Sequence, residues 1–150
     1  QGLPYAFASH FAPRFMQQAI SLYRDNFKPS AVLDKPYVML GVPLIAADSD
    51  EQAHYLATSA YQRILALFRG QSLLMKPPVA TMDGLWLPHE ERAVQDFFGL
   101  AAIGGPQTFK QRLEQIVQDT GADELIFTGD FYHFADRLRS FDILASIKTA

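Results

Sequence analysis

The sequence predicts an α/β protein made of four strand–helix units whose strands run parallel. Short apolar runs alternate along the chain with longer segments in which apolar residues recur at helical spacing. The run at 37–46 is almost continuously apolar, which is typical of a strand buried on both faces of a parallel sheet. Glycine or proline marks the ends of periodic segments, as at Gly70, Pro106 and Gly121.

The first unit and the second strand lie within residues 3–46. A short strand is predicted over residues 3–9, and a helix begins at Pro13, because proline suits the first helical turn. The second strand covers 37–46 and contains Pro43. Since proline has no N–H to donate to a sheet, Pro43 indicates a bulge or a locally unpaired position.

The second helix is followed by an irregular insertion. Asp48 or Ser49 caps the helix, and Gly70 ends it. Residues 71–88 contain three prolines and a glycine, which preclude a long regular element. Long loops of this kind are functional or partly mobile, so the segment is either a lid or a disordered insertion. A short helix over 89–98 follows.

The last two units are shorter. A brief strand at 100–103 leads through the turn at 104–106 into a helix that Gly121 ends. A strand at 124–128 then leads into a final helix. The apolar residues predicted to face inward on that helix are Phe134, Leu138, Phe141 and Ala145.

Composition narrows the classes of function. The 150 residues carry a net charge of -3 and no basic stripe, so a nucleic-acid partner is not expected. No apolar stretch reaches about 18 residues, so a membrane partner is not expected. The chain has no cysteine, which excludes disulfides and thiolate metal sites and fits a cytoplasmic protein. No signal-peptide pattern is seen, which fits the same location.

Two architectures are compatible with four strand–helix units. A (β/α)₈ barrel has eight such units in about 250 residues, so this chain supplies half of one. Four parallel strands also form a small open α/β sheet. Composition and periodicity do not separate these alternatives.

Five segments, in the expected order, resemble the luciferase-like monooxygenase family, which includes bacterial luciferase and alkanesulfonate monooxygenase. They resemble in turn the fifth strand, the sixth strand with the start of its helix, the turn into the seventh helix, the eighth strand and the last helix. The segments are GLPYAFASHF at 2–11, VPLIAADSDEQA at 42–53, IGGPQT at 103–108, GADELI at 121–126 and RLRSF at 137–141. In the third segment Gly105 and Gln107 depart from the family's usual G-T-P-E turn.

The resemblance implies that residues 1–150 are a single partial domain, the C-terminal half of a (β/α)₈ barrel. It implies an oxidoreductase that uses reduced flavin mononucleotide (FMN), delivered by a separate flavin reductase, and oxygen to oxygenate a small organic substrate. The family's flavin phosphate loop precedes the fifth strand. Much of the site is therefore expected outside this chain, which by itself is expected to be inactive.

Barrel enzymes place their chemistry at the carboxyl ends of strands, where Ser9 and His10 follow the first strand. We expect both residues to contact flavin. His10 is the catalytic candidate, because its side chain can donate a proton near neutral pH. The alternative is a histidine bonded to a loop carbonyl.

Gly104 and Gly105 follow the third strand and open a helix. Their backbone N–H groups are a candidate flavin contact, because helix starts bind anions. The alternative is a tight turn with Pro106 at the first helical position.

Aromatic residues near other strand ends are candidates for a substrate pocket. Trp86 lies on the insertion, where a lid would exclude water from the reaction. In the alternative interpretation Asp130 caps the last helix and Phe131 belongs to the core. The predicted substrate-binding residues are Phe11, Trp86, Phe131, Tyr132 and His133.

Two other functions stay open. The chain is either a non-catalytic α/β module that binds a partner chain or completes a barrel, or a small metal-dependent hydrolase using His10, Asp130 and His133. No metal is expected in the preferred interpretation. Because a half barrel exposes two sheet edges, we expect a homodimer or larger assembly.

Overall fold

The computed structural model describes residues 2–8 and 15–147, and within them strands and helices alternate. Every strand pairing is parallel, which confirms the α/β class. A helix between the second and third units confirms the predicted helical part of the insertion. The elements are β1 (Tyr5–Phe7), α1 (Met16–Asp25), β2 (Val38–Ala46), α2 (Asp50–Phe68), α3 (Pro88–Phe97), β3 (Ala102–Gly104), α4 (Pro106–Thr120), β4 (Glu124–Thr128) and α5 (Phe134–Ser146).

Strand β2 is the centre of the sheet. It pairs with β1 through residues 38–40, with β4 through 39–43 and with β3 through 44–46. Met39 and Leu40 pair with both β1 and β4, so these two strands lie on opposite edges of β2. The predicted buried strand is therefore confirmed, and it organises the other three.

The strand order differs from that of consecutive barrel strands. In a barrel, β3 would separate β4 from β2, whereas here β4 pairs with β2 over five residues. The structure places β3 on the β1 edge of β2, because the Tyr37 carbonyl accepts from Tyr5 and the Ala47 N–H donates to the Gly104 carbonyl of β3. Alternate residues of a strand direct their peptide groups to the same edge, so the opposite edge of β2 is open to β4.

Helices cover both faces of β2. Even-numbered residues such as Leu40 and Leu44 share a core cluster with α1, α4 and α5, where Phe109 is fully buried. Ile45 and Ala47 point to the opposite face and pack against α2. Within the described residues the layers are those of an open α/β sheet.

Pro43 lies after the stretch that pairs with β1 and before the stretch that pairs with β3. On the β4 edge it is in register with Thr128. On the opposite edge neither β1 nor β3 pairs with Pro43, so the predicted unpaired position is found on that edge alone. No bulge interrupts the strand, which runs continuously from Val38 to Ala46.

The inward face predicted for α5 is confirmed at Phe141, which packs against the core, and wrong at the other three positions. Phe134 is 70% exposed, Leu138 is 50% exposed, and Ala145 is also exposed. The buried residues are instead Ser140 and Ile143. The reason is that the Ser140 hydroxyl bonds to both the N–H and the carbonyl oxygen of Ala46, which orients the helix over the end of β2.

The insertion at 71–87 has no helix or strand, as predicted, but it is packed rather than disordered. The Thr58 hydroxyl accepts a hydrogen bond from the Val79 N–H at 2.8 Å. The Ser59 hydroxyl donates to the Lys76 carbonyl, also at 2.8 Å. These bonds fasten the insertion along α2. Across the described residues, no helix is both long enough and apolar enough to cross a bilayer.

Candidate functional site

An apolar cavity of about 360 Å³ lies beside the carboxyl end of β4. Its volume falls in the range of small-molecule sites, which run from roughly 300 to 1,000 Å³. The lining comes from β2, α2, the insertion, the end of α3 and the end of β4. The lining residues are Pro43, Leu44, Ile45, Ala60, Arg63, Ile64, Leu67, Leu73, Phe97, Phe98, Thr128 and Asp130.

Helical spacing on α2 builds one wall of the cavity. Ala60, Ile64 and Leu67 recur at intervals of four and three residues, so they share one face of the helix. Another part of the lining is aromatic, because α3 ends at Phe97 and Phe98 follows directly. These two rings meet edge to face, with centroids 5.5 Å apart.

An ion pair lies in the lining. Arg63 Nη1 and Asp130 Oδ2 are 2.5 Å apart, and their side chains are 35% and 47% exposed. A pair this exposed contributes little to stability. Its effect on the cavity is electrostatic, because each charge neutralises the other and leaves a lining with little net charge.

A second carboxylate follows β2. Asp48 accepts two hydrogen bonds from the Arg139 guanidinium, from Nε at 2.9 Å and from Nη2 at 2.5 Å. These contacts hold the pKa of Arg139 above its ordinary value, and the hydrogen bond to Asp48 is the main cause. The strand end is therefore tied to α5.

Asp50 joins the starts of α2 and α4. Its carboxylate accepts from the Gly105 N–H at 2.7 Å and from the Thr108 hydroxyl at 2.9 Å. These bonds, first the one from Gly105, lower the pKa of Asp50 below its ordinary value. A Cβ at Gly105 would lie 3.1 Å from the Asp50 nitrogen, so glycine permits the close approach.

The described residues near the strand ends do not fit a flavin phosphate. The Gly105 N–H that would face an anion already donates to Asp50, and that carboxylate would repel a phosphate. Arg63 and Arg139 are each bonded to a carboxylate. The geometry of Gly105 therefore supports the tight-turn interpretation, with Pro106 at the first helical position.

Three of the predicted site residues, Ser9, His10 and Phe11, lie outside the described residues. Gly104 and Gly105 are at the end of β3, where the sequence placed them. Gly104 lies close to the hydrogen bonds that Gly105 and Thr108 donate to Asp50, since a Cβ there would be 2.9 Å from the Thr108 Cβ.

Of the predicted substrate-binding residues that the structure describes, two pack in hydrophobic clusters and two are exposed. Trp86 packs in a cluster between α2 and α3, with its ring centroid 6.1 Å from that of Tyr61. Phe131 packs against the α2 face of β2. Tyr132 and His133 are exposed and touch each other edge to face at 4.8 Å. None of the four predicted residues lines the apolar cavity.

Metal binding finds no support in residues 2–8 and 15–147, where no three histidine or acidic side chains cluster around a common point. Asp130 of the hydrolase hypothesis is bonded to Arg63 instead. His133 is exposed, and His10 is not among the described residues.

Sequence reasoning missed Arg63, Phe98 and Leu73 as lining residues. Arg63 could have been noticed because it is a charged residue beside the apolar face of α2 that carries Ala60 and Ile64. Its partner Asp130 lies 67 positions away, so the pair is visible only in three dimensions.

A parallel sheet covered by helices, with an apolar cavity beside the end of a strand, defines an α/β protein with room for a small organic molecule. No family model matches the sequence. The chain is 42% identical over 147 residues to a protein of Escherichia coli K12 named luciferase-like monooxygenase, covering 98% of this chain and 44% of that protein. It is 48% identical over 146 residues to the uncharacterized protein YvbT of Bacillus subtilis, covering 97% of this chain and 44% of that protein.

Solved structures with a similar fold include apo-MsnO8, with a TM-score of 0.75 and 24% identity over 96% of this chain and 44% of that one. The monooxygenase RslO1 from Streptomyces bottropensis gives a TM-score of 0.59 and 18% identity over 96% of this chain and 40% of that one. The homology places this chain in the luciferase-like monooxygenase family. It spans less than half the length of the curated relatives it matches.

Proposed function

We propose that this chain is part of a flavin-dependent monooxygenase that oxygenates a small organic substrate with oxygen and reduced FMN. The observation that carries the proposal is 42% identity to a luciferase-like monooxygenase over nearly the whole chain. A separate flavin reductase supplies the reduced FMN in this scheme. A cytoplasmic location stays a prediction from composition.

The chain supplies four of the eight strand–helix units of a (β/α)₈ barrel in this proposal. Its four parallel strands and its 44% share of the relatives' length support that reading. Barrel strands pair in sequence order, and the pairing of β4 with β2 places β3 outside that order. This chain alone then lacks a complete active site.

Within the proposal, His10 is the candidate proton donor and Ser9 a flavin contact. Phe11 and the 131–133 segment contribute to the substrate pocket, and the insertion with Trp86 covers it. The phosphate is held by residues outside this chain, since Gly105 is bonded to Asp50.

Flavin binding by a chimera tests the proposal. Residues 1–150 replace the matching segment of the E. coli luciferase-like monooxygenase, and the unchanged E. coli protein is the control. We expect both proteins to quench FMN fluorescence with similar affinity, and the isolated chain to leave it unchanged. A folded chimera that binds no FMN while the control does contradicts the proposal, and so does a control that binds none.

A second candidate function is a non-catalytic module that binds a partner chain. The observation in its favour is that both acidic residues described at the ends of β2 and β4, Asp48 and Asp130, are held by arginines. Neither carboxylate is therefore free for chemistry. FMN binding by the isolated chain, with an affinity near that of the control, argues against this reading.

Self-association follows from the free strand edges. In the part of the chain that the structure describes, β1 and β4 each pair with β2 alone. Exposed edges favour pairing with another chain, so we expect a homodimer or larger assembly. Size-exclusion chromatography with light scattering measures this, and a monomer at high concentration contradicts it.

A further inference from the structure

We infer that the cavity between β2, α2 and the end of α3 binds a small, neutral, apolar organic molecule, such as a compound of one or two aromatic rings. The sequence did not single out this cavity. It does not include the predicted flavin contacts, and its occupation does not depend on the proposed oxygenation.

The lining favours an apolar occupant. Nine of its twelve residues are aliphatic, aromatic or proline, and only Arg63, Thr128 and Asp130 carry polar side chains. Water in such a space finds few hydrogen-bond partners, whereas an apolar molecule gains contacts with the walls. Phe97 and Phe98 present ring surfaces that suit another aromatic ring.

The charges in the lining favour a neutral occupant. Arg63 and Asp130 are bonded to each other at 2.5 Å, so neither needs a charged ligand. The lining therefore offers no unpaired charge, and a charged molecule would lose its hydration among apolar walls without gaining a partner. A neutral molecule avoids this cost, so the inferred occupant is uncharged.

Two partly exposed leucines lie at the mouth of the cavity. Leu67 and Leu73 line the cavity yet are 44% and 43% exposed. Leu74, the next residue, is 76% exposed and does not line the cavity. Leu73 and Leu74 therefore form a matched pair, in which the same substitution is made at the mouth or beside it.

A neutral fluorescent probe tests the inference directly. N-phenyl-1-naphthylamine becomes bright when it leaves water, and we expect a saturable increase in its emission with the folded chain. The sequence has one tryptophan, Trp86, which packs on Tyr61, and Tyr61 packs on Phe98 of the lining at 5.1 Å. Bound probe is therefore expected to accept excitation energy from Trp86.

A charge introduced at the mouth distinguishes binding inside the cavity from nonspecific binding to the protein surface. Leu73→Asp is expected to weaken probe binding about tenfold, because an apolar ligand would then desolvate a carboxylate. Leu74→Asp is expected to leave binding unchanged. Leu67→Gln serves as a second mouth variant if Leu73→Asp does not fold, with folding checked by circular dichroism.

Three outcomes overturn the inference. One is the absence of saturable binding by the folded chain, and another is equal weakening by Leu73→Asp and Leu74→Asp. The third is equal or tighter binding of the anionic analogue 8-anilino-1-naphthalenesulfonate, since this would show that the occupant is an anion. Failure of the FMN experiment leaves these readouts unaffected, so the two proposals are tested separately.

Discussion

Helices α2 and α5 each follow a strand of the same sheet, but the chain holds them very differently. Nine of the 19 residues of α2 are buried, against two of the 13 in α5. The Ser49 hydroxyl caps α2 by accepting from the Gln52 N–H, whereas α5 begins after His133 without a side-chain cap. Helix α2 packs against β2, α3 and the insertion, whereas α5 has exposed apolar side chains.

The insertion explains much of the difference. It lies along α2 and is fastened at its far end by Arg69, which donates to the Leu85 carbonyl and to both carboxylate oxygens of Glu90. Among residues 2–8 and 15–147 no comparable segment covers α5, and Phe134 and Leu138 are exposed. The insertion therefore buries apolar surface of α2 and leaves that of α5 exposed.

Truncating one leucine in each helix should give the largest contrast. Leu65 on α2 is 5% exposed, so Leu65→Ala should destabilise the chain by roughly 2–4 kcal/mol. Leu138 on α5 is 50% exposed, so Leu138→Ala should cost less than about 0.5 kcal/mol. Urea unfolding measures both, and equal losses would show that α5 is buried in solution.

Removing the cap of α2 should have a smaller effect. Ser49→Ala deprives the Gln52 N–H of its acceptor and should cost about 1 kcal/mol. The same unfolding experiment measures it, with Ser49→Asp as the control that retains a capping oxygen. No loss in Ser49→Ala would mean that the cap is dispensable.

Acid should reveal the Arg69–Glu90 contact. The Arg69 guanidinium and the Leu87 N–H lower the pKa of Glu90 from 4.5 to about 2. A lowered carboxyl pKa in the folded state stabilises the fold above pH 4.5, and this stability is lost as the pH falls towards about 2. Glu90→Gln should therefore lose less stability than the native chain across that window.

The control for this experiment is Glu114→Gln, which removes a carboxylate from an exposed surface pair with Lys110 on α4. It should keep the pH dependence of the native chain. Equal slopes for the native chain and Glu90→Gln between pH 4.5 and about 2 would contradict the assignment.

Adding a cap to α5 should have the smallest effect. His133→Ser supplies a hydroxyl at a helix start that has no side-chain cap, and should stabilise the chain by a few tenths of a kcal/mol. Thermal unfolding measures the gain. A loss of stability instead would show that the His133 ring contact with Tyr132 outweighs a cap.

The elements that the sequence predicted best are those defined by local pattern. The continuous apolar run of β2 and the helical stripe of α2 both lie where expected, because burial on two faces or on one stripe leaves a clear periodicity. The glycine that ends α4 was equally clear, since Gly121 has a φ of 60°.

The features that the sequence did not predict depend on distant partners. The pairing of β4 with β2 joins residues 124–128 to residues 39–43, and β3 pairs on the opposite edge, which no local pattern records. The stripe of Phe134 and Leu138 looks the same whether it is buried or exposed. The Arg63–Asp130 pair joins α2 to the end of β4, so the cavity between them was also beyond local pattern.

Ser140 has a consequence for how the sheet ends. Its hydroxyl both donates and accepts, so for Ala46 it imitates a neighbouring peptide unit beyond Pro43, where the pairing with β4 stops. A side chain of α5 thus provides the last hydrogen bonds on this edge of β2. Another strand could pair with β2 at this position only by displacing the Ser140 hydroxyl from the N–H and the carbonyl oxygen of Ala46. Ser140 therefore protects this edge of β2 from further strand pairing.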